Sequence, residues 1–141
     1  MEMDRSLTGD GPYPVTGRYA VLARVGFVLA IMAIVVAILL PREMIPQFVR
    51  SLYLQHFAAF YVLGLLALAA APRRSLMRLG AELSAFATGM EALHLFAGGA
   101  VRPVLDNWVA DLGGLAAAFA PIAVARFRRR FERPSPPADE A

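Results

Sequence analysis

Two histidines, His56 and His94, and a few carboxylates are the groups in this 141-residue chain best suited to moving protons or holding a ligand. Glu91 and His94 are spaced i, i+3, so they share one face of a helix. Asp111 follows them, with Arg102, Asp106 and Asn107 in between. An imidazole beside carboxylates can carry out general acid–base chemistry, and an arginine near them can grip an anionic group. Glu91-Ala92-Leu93-His94 also has the Glu-x-x-His spacing of di-iron bundles, but those sites need a second copy and two further glutamates. Only one copy occurs here, so neither a metal nor any other cofactor is expected. His56 and His94 are too far apart for a His-Glu-x-x-His zinc helix, and no Gly-x-Ser-x-Gly nucleophile elbow is present. The chain has neither lysine nor cysteine. Schiff-base lysines, P-loop lysines, thiol nucleophiles, disulfides and cysteine-ligated metals are therefore excluded.

These groups sit in an unusually apolar chain. It is 58% hydrophobic and 18% charged, against about 45–50% and about 25% in soluble domains. A membrane-crossing helix needs about 20 mostly apolar residues. Residues 21–40 and 52–71 meet that requirement plainly, and Pro41 and Pro72 end them. Residues 79–96 and 108–125 are two further candidates, the third interrupted by Glu82, Glu91 and His94. The expected fold is thus all-α: an integral membrane bundle of four transmembrane helices. No small-x-small cleavage site follows the first span, so it is expected to stay as an anchor.

Arginine placement gives the expected orientation. With four spans, eleven of the 14 basic residues fall on the side of the two termini. Only Arg42, Arg50 and Arg102 fall on the other side. The positive-inside rule then places both termini in the cytoplasm. Residues 1–18 read as a flexible cytoplasmic segment, 19–127 as the transmembrane domain, and 128–141 as a basic and then disordered cytoplasmic tail. The pI of 9.9 invites a nucleic-acid reading. However, the Arg126–Arg133 cluster abuts a span, where anchoring to anionic lipid is its ordinary role, and no nucleic-acid partner is expected.

Small residues recur at four-residue spacing on the third span (Ala81, Ala85, Gly89) and on the fourth (Ala110, Gly114, Ala118). Such strips allow helix backbones to approach closely in lipid, where hydrophobicity does not drive association. An abundance of alanine would produce the same pattern.

In the four-span topology His56, Glu91, His94, Arg102 and Asp111 all fall toward the outer side at similar depth. Ionisable groups within spans are costly, and usually face the bundle interior or a wet cavity. The set reads either as one ligand-facing site or as a structural group, with His56 bonded to Asp111 and Arg102 paired to Asp106 or Glu91. Glu82 lies outside it, toward the inner end, free to snorkel or to meet Arg78.

With these residues placed, the chain resembles the VanZ-like family of small membrane proteins over residues 52–118. His56-Phe57-Ala58-Ala59-Phe60-Tyr61-Val62-Leu63-Gly64 is similar to the family's His-x-x-x-Phe-x-x-x-Gly helix. Gly89-Met90-Glu91-Ala92-Leu93-His94 is similar to its stretch of glycine, glutamate and a following polar residue. Arg102 matches the arginine of the next loop, and Asn107-Trp108-Val109-Ala110-Asp111-Leu112-Gly113-Gly114 resembles the start of its last helix. Two positions depart from the pattern: His94 stands where glutamine is usual, and Asn107 where aspartate is usual. The resemblance implies a multi-pass protein of the bacterial cytoplasmic (inner) membrane, surrounded by membrane lipids. Its outer polar site would bind or modify a cell-envelope molecule, lipid- or peptidoglycan-linked, or another small-molecule ligand. The family takes its name from a protein implicated in resistance to the glycopeptide teicoplanin. Both binding and acid–base catalysis stay open, as does the alternative of a structural or assembly subunit with membrane-protein partners.

Overall fold

The computed structural model describes residues 17–40, 44 and 50–131. Arg5, Arg42, Arg133 and the turn-rich and polar terminal stretches at 8–14 and 134–140 lie outside the described residues. Four helices follow one another: α1 (Arg18–Leu39), α2 (Leu52–Ala70), α3 (Leu76–Phe96) and α4 (Val101–Arg129). The described residues contain no strand. Helices α1, α2 and α4 are long and apolar enough to cross a membrane. Helix α3, with Glu82, Glu91 and His94 along it, has no stretch that is long and apolar enough.

Local chemistry sets the helix ends. Ser51 caps α2 by accepting a hydrogen bond from the Leu54 amide at 3.3 Å. Ser75 does the same for α3, accepting from the Arg78 amide at 3.2 Å. A serine at this position satisfies an amide that has no partner within the helix, so α3 starts at Leu76, ahead of the apolar run from which it was predicted. Its other end closes on Gly98, whose φ of 95° lies in the left-handed region. The Gly99 amide donates to the His94 carbonyl at 3.0 Å and the Gly98 amide to the Leu95 carbonyl at 3.1 Å. This paired closure places a glycine where the chain must reverse.

Helix α4 departs most from expectation. It begins at Val101 rather than near Trp108. Pro103 falls in its first turn, where backbone amides need no intrahelical acceptor, and so does not delay the helix. Arg102, Asp106 and Asn107 are therefore helical residues, not members of a connection.

Helix α4 packs most extensively along α2, which also receives α1, while α3 rests chiefly on α4. The core joins Phe60, Leu63 and Ala67 of α2 to Leu79, Leu83 and Ala87 of α3 and Leu115 of α4. Phe27, Ile31 and Ile34 of α1 close over it. The α4 strip lies in the α2–α4 contact, with Ala110, Gly114 and Ala118 all buried. A Cβ on Gly114 would collide with the Phe57 carbonyl oxygen and lie 2.8 Å from the Tyr61 amide nitrogen. The α3 strip has no such role: Ala81, Ala85 and Gly89 are exposed, and nothing lies within 4 Å of a Cβ on Gly89.

Candidate functional site

Four antiparallel helices in sequence bring the end of α1, the start of α2, the end of α3 and the start of α4 to one end of the bundle. His56 is in the second turn of α2, and its Nδ1 donates a hydrogen bond to Asp111 Oδ1 of α4 at 2.9 Å. The same nitrogen lies 3.7 Å from Glu91 Oε1 of α3. Across the i, i+3 step of α3, His94 Nδ1 lies 3.8 Å from Glu91 Oε2. Glu91 and Asp111 are 3% and 1% exposed, while His56 and His94 are partly exposed.

Burial of the two carboxylates follows from helix register. Glu91 continues the inward stripe Leu79, Leu83, Ala87 at four-residue steps, and Asp111 lies one turn beyond the buried Asn107. Hydrogen bonding in the cluster is incomplete. Glu91 Oε2, Asp111 Oδ2 and His94 Nδ1 are buried without a hydrogen-bond partner. Native proteins rarely leave such atoms unpaired unless water, an ion or a ligand completes them.

A cavity of about 360 Å³ opens beside these atoms. Its walls are apolar, from Ile34 and Ile38 of α1, Leu52 and Phe60 of α2 and Met90 of α3. Polar groups converge on one part of it: His56, Glu91, His94, Asp111, Gln55, Asn107 and Arg50. Apolar walls with a few convergent polar groups are the usual make-up of a small-molecule site.

Four of the five residues singled out from sequence thus meet here. Arg102 does not. It is exposed and absent from the cavity wall. The reason is the early start of α4, because Asp111 lies nine helical steps beyond Arg102, about two and a half turns. That spacing turns the two side chains to opposite faces, and the expected reach of Arg102 back over the cluster is not made. Arg50, just ahead of the Ser51 cap, supplies the arginine at the cavity instead. Sequence offered no signal for Arg50. Asn107 did carry one, since it stands i−4 to Asp111 and shares its face once the helix extends that far back.

Glu82, at the far end of α3, pairs with Arg74 rather than Arg78. Trp108 Nε1 donates to Thr88 Oγ1 at 3.0 Å, tying α4 to α3 outside the cavity.

In chemical terms the site offers an imidazole oriented by a buried carboxylate. A second carboxylate stands within reach, and a guanidinium lies at the wall. Comparison with protein-family models, with curated proteins and with solved structures finds no match to this chain.

Proposed function

We propose that this chain is a four-span, VanZ-like protein of the bacterial cytoplasmic membrane, with both termini cytoplasmic, that binds or modifies a lipid- or peptidoglycan-linked cell-envelope molecule in the outward-facing cavity. One observation carries the binding reading: Glu91 and Asp111, each with a buried oxygen that lacks a partner, line a cavity with apolar walls and an arginine, Arg50. The walls suit an acyl or prenyl chain, and the polar end suits its head group. Glycopeptide susceptibility would change as a consequence of sequestering or modifying such a molecule. The four-span topology draws on the length of α3, 21 residues or about 31 Å. The arginine bias supports the orientation.

Purification with native lipid, followed by mass spectrometry of the extracted ligands, tests the binding. An envelope lipid should co-purify with the wild type, and its occupancy should fall about tenfold, equivalent to about 1.4 kcal/mol, in Arg50→Ala and Glu91→Gln. Equal retention by the variants, or bulk phospholipid alone, overturns the reading. Reporter fusions at both termini should be active in the cytoplasm; termini on opposite sides would remove a span.

A second reading, an assembly subunit, is favoured by the outward strip Ala81–Ala85–Gly89, which would accept a partner helix closely. Stoichiometric co-purification of another membrane protein, lost in Gly89→Leu and indifferent to Glu91→Gln, would select it.

A further inference from the structure

We infer that His56, Glu91 and Asp111 form a binding site for a divalent transition-metal ion, with at least one coordination position open to the cavity. One potential ligand atom from each residue lies within 4.8 Å of the other two. Bonds of about 2.0–2.2 Å from a metal to nitrogen and oxygen imply separations between neighbouring ligand atoms of about 3.0–3.5 Å. Two of the three separations lie on either side of that range, with His56 Nδ1 2.9 Å from Asp111 Oδ1 and 3.7 Å from Glu91 Oε1, and the third is no more than 4.8 Å. A side-chain adjustment that draws Glu91 and Asp111 together would let an ion take the place of the proton on His56 Nδ1.

The second observation is independent of this spacing. Glu91 and Asp111 are both more than nine-tenths buried, yet Glu91 Oε2 and Asp111 Oδ2 lack any hydrogen-bond partner. An unpaired buried carboxylate oxygen costs its full desolvation, and a cation removes that cost for both groups at once. The three ligands come from three different helices, α2, α3 and α4, so the helix packing itself holds them in place. His94 Nδ1, buried and unpartnered at 3.8 Å from Glu91 Oε2, stands where it can orient the ligand carboxylate. One imidazole and two carboxylates, without thiolate, suit Zn²⁺, Mn²⁺ or Fe²⁺ rather than a thiophilic ion. Three protein ligands beside a cavity are the pattern of sites that leave a position for water or a bound ligand.

A metal search by contiguous motif passes over such a site, because its ligands lie 35 and 20 residues apart along the chain (91 − 56 and 111 − 91). The inference rests on the side chains of the cluster and requires no envelope lipid. Metal content and lipid retention are therefore read separately on the same preparation.

The full chain, purified in detergent and stripped with EDTA, is titrated with Zn²⁺ and, separately, Mn²⁺. Bound metal is then measured by mass spectrometry after gel filtration, and Co²⁺ is used as a spectroscopic probe of the ligand field. About one ion per chain is expected with at least one of the two metals. Metal affinity should fall more than about 100-fold in Glu91→Gln and Asp111→Asn, and by about tenfold in His94→Ala. The Co²⁺ d–d bands should change in His56→Ala. Zinc or manganese should also raise the Tm of the wild type and not that of Glu91→Gln, a readout that stands even if Asp111→Asn does not fold. Wild-type protein that holds no ion, or variants that hold it as tightly as the wild type, overturn the site. Lipid retained without metal would overturn the metal site alone; metal retained without lipid would overturn only the ligand reading.

Discussion

Helices α3 and α4 each carry three small residues at four-residue spacing, and the fold uses them in opposite ways. Ala110, Gly114 and Ala118 are buried in the contact with α2, where Gly114 admits the backbone of Phe57 and Tyr61. Ala81, Ala85 and Gly89 are exposed on the outside of α3. Spacing alone does not separate the two strips. The polar residue beside each one does. On α4, Asp111 lies next to Ala110 and one turn from Asn107, so the face that shelters a carboxylate also carries the small residues. On α3, Glu91 is two residues from Gly89, about 200° around the helix, and the face that shelters it is Leu79, Leu83 and Ala87. Turning either carboxylate outward against apolar surroundings is costly, and a small-residue contact facing outward carries no such penalty. The acid therefore sets the rotation of each helix, and the small residues follow it.

The largest expected effect tests this contrast directly. Gly114→Leu drives a side chain into the α2 backbone and should cost about 3 kcal/mol or more, the upper end for overpacking. Gly89→Leu meets open space and gains helix propensity, so stability should hold or rise by up to about 1 kcal/mol. Thermal unfolding of both variants in detergent measures the difference. Similar losses in the two would mean that the strips are equivalent after all, and the acid-sets-rotation argument would fail.

The same contrast explains what could be read from the sequence. The first two helices were legible because apolar runs of spanning length are closed by Pro41 and Pro72, whereas the third and fourth were legible as weaker runs whose starts lay several residues further back. Four of the five candidate site residues were legible because ionisable groups within apolar runs are few, and alternating helix direction brings 56, 91, 94 and 111 to one end. The start of α4 was not legible. Hydropathy fades among Arg102, Asp106 and Asn107, yet the helix continues through them, because a helix tolerates polar residues as readily as a loop does, here with Arg102 and Asp106 exposed and Asn107 turned inward. Reading that turn as a connection, together with the family resemblance at Arg102, placed Arg102 in the expected site and left Asn107 outside it. The role of Arg50 was illegible for a different reason, since its proximity to the cavity is a tertiary fact with no local pattern. The idle strip on α3 was legible in principle, from its angle to Glu91.

The His56–Asp111 bond should come next in size. It joins α2 to α4 beside the small-residue seam, with Asp111 1% exposed. A double-mutant cycle with His56→Ala and Asp111→Ala isolates its contribution from the cost of truncating each side chain. Charge-assisted bonds in water-poor surroundings and measured bonds between membrane helices together suggest a coupling of about 1–2 kcal/mol. A coupling near zero would mean that the seam holds α2 to α4 without the polar cluster, which would leave Asp111 free to serve a ligand alone.

The smallest effect belongs to the other acid of α3. Glu82 pairs with Arg74, and the two side chains are 46% and 52% exposed. Glu82 and Glu91 are the same residue type on one helix, two and a half turns apart, so their difference isolates environment from chemistry. Water solvates Glu82 whether or not Arg74 is present, and holding two long side chains together costs entropy. The Arg74→Ala, Glu82→Ala cycle should therefore show about 0.5 kcal/mol. Its salt dependence is the more telling measurement. At about 1 M salt the Debye length falls to about 3 Å, and the coupling of an exposed pair should vanish. The His56–Asp111 coupling should persist at the same salt, because bulk salt screens a pair with one partner only 1% exposed far less than a pair standing in water. If salt removed both couplings, water and ions would have free access to the cluster, and Glu91 and Asp111 would be as well solvated as Glu82. If it removed neither, the Arg74–Glu82 pair would be as shielded as the buried one, and exposure would no longer distinguish the two ends of α3.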